Sequence, residues 1–343
     1  MNHKHFYLIK WFPGEPSTGG SKVFMEIYKA LKGVPEIEVF LVKEFENLRI
    51  SRGRGFLSDL RFFFEEAFVI LKKNLIAIKL VKAGHEVYAG GLSGTFEYVQ
   101  PPPQLVSHSI YSKLSNYAMK LLGFIDLFSR LGRNNIKIAI YASYNTKQYY
   151  RIKKSGIIEY VIYPGIIYEF PEVDPIKKEK IIVTLARISR NKNLEVLEEI
   201  FKDLPYLHFL IGFCDDEAYL NELKGKLAKS IIIANATEEE KKNVLLKAKI
   251  LLHSAVNETA PIAFMEAMSY GVIPIANKSG GVPEIIPGEF LYDNFSEARE
   301  KVIYYMENYT DKISRELISV SKQFSVEKFH QNIRDVIHEY IRS

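Results

Sequence analysis

Two glutamates, Glu258 and Glu266, stand eight positions apart where the pattern predicts a strand followed by a helix. The apolar run 250–252 before Glu258 is typical of a buried strand, and segment 262–270 favours a helix with Pro261 in its first turn. Ligands bind at the carboxyl ends of strands in open α/β sheets, and ionised carboxylates there suit an array of sugar hydroxyls. The competing interpretation is that Glu266 only offsets the helix dipole.

A second ligand-type loop follows directly. Residues 272–276 predict another buried strand, and Ser279-Gly280-Gly281 then forms a glycine-rich turn before Pro283. Glycine pairs let the backbone approach a ligand closely. Two such loops at neighbouring strand ends favour a binding site over a chance pair of acids.

The stretch from His253 to Ile286 resembles the donor-site signature of the family-4 retaining glycosyltransferases, which have the GT-B fold. That signature is a glutamate, seven residues, a second glutamate, Ala-Met, a glycine, a strand and Gly-Gly-x-Pro-Glu. The matching residues here are Glu258, Glu266-Ala267-Met268, Gly271 and Gly280-Gly281-Val282-Pro283-Glu284.

Shorter matches occur in the family's order. Segment 183–192 resembles the part whose arginine and lysine hold the donor diphosphate, Ser17-Thr18-Gly19-Gly20 resembles the N-terminal glycine loop, and 324–329 resembles the start of the closing helix. Within the family, the residues around 257 and 280 are most similar to mannosyltransferases that build lipid-linked oligosaccharides.

The resemblance implies a role for each matching residue. Arg187 and Lys192 are expected to stabilise the donor diphosphate, at a helix predicted to begin at Asn193, where free N–H groups would also face the phosphates. Glu258 is expected to hold hydroxyls of the donor sugar, and Glu266 the nucleotide ribose. Arg187, Lys192 and Glu258 are therefore the predicted catalytic residues. The alternative interpretation is that Arg187 and Lys192 are solvated cations in a loop and have no such role.

Five further positions complete the predicted donor site. Gly19 and Gly20 are expected to follow the first strand and precede a helix, 21–31, in a close approach to the ligand, or to form only a tight turn. Ala260 and Pro261 replace the Phe-Gly of the family. Because proline has no N–H, one expected backbone donor is missing, and Ile262 is expected to supply another.

The acceptor side departs from the family pattern. Gln100 stands where many relatives have a histidine at the end of an N-terminal strand, and glutamine cannot act as an acid or base near neutral pH. His108 is the nearest substitute, or alternatively a surface or capping residue. No Asp-x-Asp pair occurs, so the resemblance implies a metal-free reaction with a nucleotide sugar, no cofactor and no nucleic-acid partner.

Composition is that of a globular protein. The chain has 343 residues, 47% of them hydrophobic, which suffices for two domains with real cores. The only cysteine, Cys214, excludes an internal disulfide and a cysteine cluster for zinc. The N-terminus lacks the pattern of a signal peptide and no apolar run reaches the length of a membrane span, so a cytoplasmic setting is expected.

Charge is divided unevenly between the two halves. Residues 1–165 have 23 Lys+Arg and 13 Asp+Glu, a net charge of +10, whereas residues 166–343 have 23 and 28, a net charge of −5. Segment 57–82 interleaves aromatic and basic residues and follows Arg49, Arg52 and Arg54. Peripheral contact with an anionic membrane would explain this pattern, and so would a pair of long core helices with solvated lysines.

Strand-like runs alternate with helix-like stretches, which predicts parallel sheets in an α/β fold. The resemblance makes this a GT-B fold, with two Rossmann-like domains facing across a cleft and a C-terminal helix packing back towards the N-terminal domain. The turn Tyr163-Pro164-Gly165 suggests the boundary. We predict an acceptor-side domain at 1–165, an irregular linker at 168–179, a donor domain at 166–323 and a closing helix at 324–343.

The predicted activity is transfer of a hexose from a nucleotide diphosphate sugar to a glycan or lipid-linked acceptor with retention of configuration. Two alternatives stay open: a GT-B enzyme of other chemistry, such as a phosphorylase or nucleotide-sugar epimerase, and a non-catalytic nucleotide-sugar-binding protein. A nicotinamide dehydrogenase is not expected, because Gly-x-Gly-x-x-Gly is absent after the first strand.

Overall fold

The structure is a computed structural model. It describes residues 4–10, 12, 19–44, 56–89, 94–99, 134–165, 167, 169–201, 203–214 and 216–343. Residue contacts divide the chain into an N-terminal unit, Met1–Gly165 with Val326–Ser343, and a C-terminal unit, Ile166–Ser325.

Strands and helices alternate along the described residues. The strands are β1 Lys4–Ile9, β2 Ile37–Val42, β3 Glu86–Tyr88, β4 Phe96–Val99, β5 Ile138–Tyr141, β6 Ile158–Val161, β7 Glu179–Leu185, β8 Leu207–Gly212, β9 Ser230–Ala234, β10 Ala248–His253, β11 Ile273–Asn277 and β12 Leu291–Tyr292. The α-helices are α1 Gly19–Lys32, α2 Phe56–Lys82, α3 Tyr144–Tyr150, α4 Leu197–Phe201, α5 Glu217–Lys226, α6 Glu238–Lys247, α7 Ile262–Ser269, α8 Phe295–Glu307, α9 Asp311–Ser321 and α10 Val326–Arg342.

The N-terminal unit contains two parallel three-stranded sheets, in the orders β2-β1-β3 and β4-β5-β6. Ile9 and Val87 of the first sheet form a buried cluster with Val69 and Ala77 of α2. Helix α10 belongs to this unit and packs against α1, where Nε2 of His330 lies 2.9 Å from a carboxylate oxygen of Glu26.

Three expectations for local structure are corrected. Gly19 and Gly20 lie in the first turn of α1, not before it, because N–H groups there need no partner within the helix. Segment 57–82 is one continuous helix and not a pair. The last strand of this unit begins at Ile158, two residues earlier than predicted, since the turn at Gly156 (φ +73°) already reverses the chain.

The C-terminal unit has one six-stranded parallel sheet in the order β12-β11-β10-β7-β8-β9. Before it, the stretch predicted to be irregular contains a 3-10 turn, Pro175–Lys177, in which the N–H of Ile176 donates to the carboxylate of Asp174. From β7 the chain adds β8 and β9 on one side of the sheet, and then adds β10, β11 and β12 on the other side. Such a reversal is a topological switch point, and it leaves a crevice at the carboxyl ends of the two central strands.

Candidate active site

The residues predicted to bind the donor follow the two strands at this switch point. Arg187 and Lys192 lie in the loop after β7, residues 186–193, and Glu258 lies in the loop after β10, residues 254–261. Because all the strands are parallel, both loops emerge at the same edge of the sheet. The topology thus brings together cations and a carboxylate that are about 70 positions apart in the sequence.

The main chain at Glu258 is fixed by the neighbouring loop after β11, residues 278–281. The N–H of Gly281 donates to the carbonyl of Glu258 at 2.8 Å, and the N–H of Asn257 donates to Oγ of Ser279 at 2.8 Å. Gly280 has φ +60°, and a Cβ there would lie 2.3 Å from the Glu258 carbonyl oxygen. Only glycine fits this approach, which accounts for the Gly-Gly pair.

The side chain of Glu258 forms an ion pair with Nζ of Lys192. The two side chains are 21% and 22% exposed, respectively, so the pair is mostly buried yet open to a ligand. Oγ of Ser254 donates to the Lys192 carbonyl at 3.0 Å and ties the two loops together. The cation predicted to hold phosphate and the carboxylate predicted to hold sugar are therefore paired with each other in this structure.

Arg187 differs from the neighbouring arginine. It is exposed, and among the described residues its side chain has no hydrogen-bond or ion-pair partner. Arg190 instead pairs with Glu222 at 2.8 Å and lies over the ring of Tyr219 at 4.7 Å. Arg187 is thus the cation available to an anionic ligand, whereas Arg190 is held by α5.

Glu266 lies on the second turn of α7, and its side chain is 23% exposed. Its Oε1 forms an ion pair with Nζ of Lys241 at 2.6 Å, and the same ammonium pairs with Glu238 at 2.5 Å. Burial acts to lower the pKa of Lys241, but Glu266 and Glu238 outweigh it and raise that pKa. Sequence reasoning did not find Lys241, which has no motif around it.

His253, the last residue of β10, is 3% exposed. Burial lowers its pKa to about 4, against the opposing effect of Glu258, so the imidazole is neutral at neutral pH. Its Nδ1 accepts the N–H of Ala255 at 3.3 Å, which assigns the ring proton to Nε2. A neutral hydrogen-bond donor thus lies at the end of β10, the strand that leads into the loop with Glu258.

The family departure at Pro261 has a local solution. Pro261 is the residue before the first turn of α7, and its carbonyl accepts the N–H of Phe264 at 3.2 Å. Within the described residues, the N–H groups of Ala260 and Ile262 donate no hydrogen bond to the protein. Both are therefore available to a ligand even though Pro261 has none to offer.

The segment after β7 corrects one expectation. No helix begins at Asn193, which is left-handed (φ 52°) and lies between two 3-10 turns, Arg190–Lys192 and Leu194–Val196, the second of which leads directly into α4. A long helix dipole therefore does not act on the predicted diphosphate site, and the charges of Arg187 and Lys192 must supply the attraction.

Other predicted positions cannot be placed beside this site. Gln100, His108, Ser17 and Thr18 lie outside the described residues, and Gly19 and Gly20 belong to the N-terminal unit. Among the residues that the structure describes, no group of three or more His, Cys, Asp or Glu side chains is arranged to hold a metal ion.

Solved structures share this architecture along nearly the whole chain. The chain resembles sucrose-phosphate synthase from Thermosynechococcus elongatus with a TM-score of 0.70 and 13% identity, covering 99% of this chain and 100% of that one. It resembles the Anabaena protein HepE, solved with UDP and glucose, with a TM-score of 0.66 and 14% identity, covering 98% and 100%. The fold is GT-B.

Residues 167–324, nearly all of the C-terminal unit of this GT-B protein, match the family model of the glycosyl transferases group 1. A curated relative, one of the subunits of the human phosphatidylinositol N-acetylglucosaminyltransferase, is 22% identical over 258 residues, which are 64% of this chain and 53% of the relative. The chain spans about half the length of the curated relatives it matches. The C-terminal unit is thus similar in sequence to the glycosyl transferases group 1, and the chain as a whole has the GT-B fold.

Proposed function

We propose that the protein transfers a hexose from a nucleotide diphosphate sugar to a glycan or lipid-linked acceptor, with retention of configuration and without a metal ion. The observation on which this rests is the convergence of Arg187, Lys192 and Glu258 at the switch point of the C-terminal sheet. Cations for a diphosphate and a carboxylate for sugar hydroxyls are side by side there.

In this reaction, the main barrier is charge that develops on the leaving diphosphate. Arg187 offers a planar fork suited to phosphate, and Lys192 a point charge once the ligand displaces Glu258. Preformed charges of this kind stabilise a transition state without reorganisation at the moment of reaction. The leaving diphosphate then accepts the proton of the acceptor hydroxyl, so that no protein nucleophile is required.

Glu258 and Glu266 divide the donor between them. Glu258, whose main chain is fixed by the loop 278–281, receives the sugar hydroxyls, together with the free N–H groups of Ala260 and Ile262. Glu266, one to two turns into α7, receives the ribose hydroxyls. We assign the donor to the C-terminal unit, with Gly19 and Gly20 as further donor-binding candidates, and the acceptor to the N-terminal unit, where Gln100 and His108 are the candidates.

A binding screen followed by a product assay tests the proposal. UDP, GDP and ADP are compared first by thermal shift, because a ligand that binds the native state raises its stability. UDP is suggested by HepE, which was solved with UDP and glucose, and GDP by the resemblance to mannosyltransferases. Labelled donor then separates glycosyl transfer from phosphorolysis and epimerisation, and binding without turnover would indicate the non-catalytic alternative.

The exposed face of helix α2 supports the further proposal that the protein binds its acceptor at an anionic membrane surface. One exposed face has the spacing i, i+4, i+7, i+11, i+14. It presents Phe68 (58% exposed), Leu75 (44%), Lys79, Lys82 and Lys72, which also pairs with Glu44 at 3.1 Å. Apolar side chains can enter the headgroup region while lysines contact anionic lipid.

No helix among the described residues is long and apolar enough to cross a bilayer. We therefore propose peripheral contact, at the cytoplasmic face. Co-sedimentation with anionic and neutral vesicles at low and high salt tests it. Exchange of Lys79 and Lys82 for glutamate should abolish binding, whereas the same exchange at the exposed Lys224 and Lys242 of the C-terminal unit should not. Absence of binding to anionic vesicles at low salt would contradict the proposal.

A further inference from the structure

Lys241 connects two helices at the edge of the sheet where the candidate site lies. It is in the first turn of α6, which begins after β9 with a capping box between Thr237 and Glu240. Its ammonium pairs with Glu266 of α7 at 2.6 Å and with Glu238 at 2.5 Å. The Lys241 side chain is only 17% exposed, and that of Glu238 is 75% exposed. Glu266 is thus the partner on the buried side.

The closest contact of Lys241 is to Oε1 of the Glu266 carboxylate, and among the described residues no other group is bonded to that carboxylate. A carboxylate held by a fixed cation has lost most of its rotational freedom before any ligand arrives. Its remaining lone pairs then point in one direction, which suits the adjacent hydroxyls of a ribose.

We propose that Lys241 is a positioning residue that makes the site selective for ribonucleotides over deoxyribonucleotides. The proposal rests on the proposed function, in which Glu266 receives the ribose hydroxyls. Lys241 itself touches no nucleotide atom in this account. It holds Glu266 in the orientation that accepts two hydroxyl protons, and without it the carboxylate must be ordered at the moment of binding.

Titration calorimetry on the full chain tests the proposal. UDP, GDP and ADP are titrated first, and the 2′,3′-dideoxy form of the nucleotide that binds is titrated next. The wild-type protein should prefer the ribonucleotide. Lys241→Met should weaken the ribonucleotide by about fivefold and leave the dideoxynucleotide unchanged. Lys241→Arg, which keeps the charge, should retain most of the preference. Lys242→Met, at the exposed neighbouring position, is the matched control and should behave as wild type.

The outcomes separate this inference from the proposed function. If wild type binds none of the three nucleoside diphosphates, the proposed function fails. If wild type prefers the ribonucleotide and Lys241→Met keeps that preference, or loses affinity equally for both forms, Lys241 has no positioning role. Lys241→Gln serves if the methionine variant does not fold. Adding Lys241→Met to Glu266→Gln should produce no further loss of preference, since there is then no carboxylate to orient.

Discussion

Replacing Glu258 with glutamine should tighten binding of the bare nucleoside diphosphate while weakening the sugar contact. The substitution keeps the shape of the side chain but removes its charge. That charge is paired with Lys192 in this structure, and both side chains are about four-fifths buried. A diphosphate must therefore displace Glu258 from Lys192 and then remain close to a negative carboxylate, and glutamine relieves both costs.

The size of the effect follows from two terms. A carboxylate about 7 Å from a phosphate charge, at an effective dielectric constant of about 40 for this partly exposed site, repels it by about 1.2 kcal/mol, which is about sevenfold in affinity. Against this, an ionised carboxylate contributes about 2 kcal/mol through hydrogen bonds to sugar hydroxyls. Loss of the repulsion alone should thus tighten the bare nucleotide by about sevenfold, and freeing Lys192 adds to that gain, whereas the full donor also loses the sugar contact.

The ratio of the two dissociation constants isolates the sugar contact. The repulsion term is common to both ligands and cancels, so Glu258→Gln should change the ratio of bare nucleotide to nucleotide sugar by about 30-fold. Titration calorimetry with both ligands measures it. Glu266→Gln is the matched control: it should weaken both ligands alike and leave the ratio unchanged, because ribose is present in both.

One result would refute the reasoning. If Glu258→Gln weakens the bare nucleotide and the full donor by equal factors, Glu258 is not on the sugar side and does not compete for Lys192. The double variant with Lys192→Ala adds an independent test. The gain in bare-nucleotide affinity should shrink when Lys192 is already absent, since part of it comes from freeing that ammonium.

Further perturbations address other parts of the site. Arg187→Ala should lower turnover by about 10²-fold and weaken the bare nucleotide in steady-state and calorimetric assays, and near-normal turnover would exclude its role. Gly280→Ala should lower both the melting temperature and donor affinity, because its Cβ would meet the carbonyl of Glu258, whereas Gly225→Ala, with nothing within 4 Å, should not. His253, whose pKa burial lowers to about 4 from 6.5, protonates first in the unfolded chain. As the pH falls from about 6 to 4, this difference should lower the free energy of unfolding by up to about 1.4 kcal/mol per pH unit. The variant His253→Asn should show a weaker pH dependence of that free energy, measured by urea unfolding over the same range.

The sequence predicted the α/β fold well because its C-terminal strands are short, continuous apolar runs. The predicted strands at 250–253 and 272–276 are confirmed as β10 and β11 within two residues at each end. Runs of this kind are buried on both faces in a parallel sheet and can be recognised locally. The motif from Glu258 to Glu284 also occupies one continuous stretch of sequence, so the two loops that carry it could be recognised together.

Features that depend on distant contacts were not predictable in this way. Lys241 matters only because α6 and α7 bring it to Glu266, and one lysine in a charged helix is ordinary in sequence. The 3-10 turns around Asn193 form because this residue adopts a left-handed conformation, which helix propensity alone does not specify. The roles assigned to Arg187, Lys192 and Glu258 stay predictions, although the structure pairs the last two.

The pairing also has a consequence for the order of events at the site. With Lys192 neutralised by Glu258, the cation that an incoming diphosphate meets first is Arg187, which is exposed. In the proposed reaction, a complete donor would release Glu258 from Lys192 and give it sugar hydroxyls in exchange. The bare diphosphate left after transfer would release Glu258 but give it nothing, so re-formation of the Lys192–Glu258 pair would favour product departure. Glu258 would then help both to bind the substrate and to expel the product.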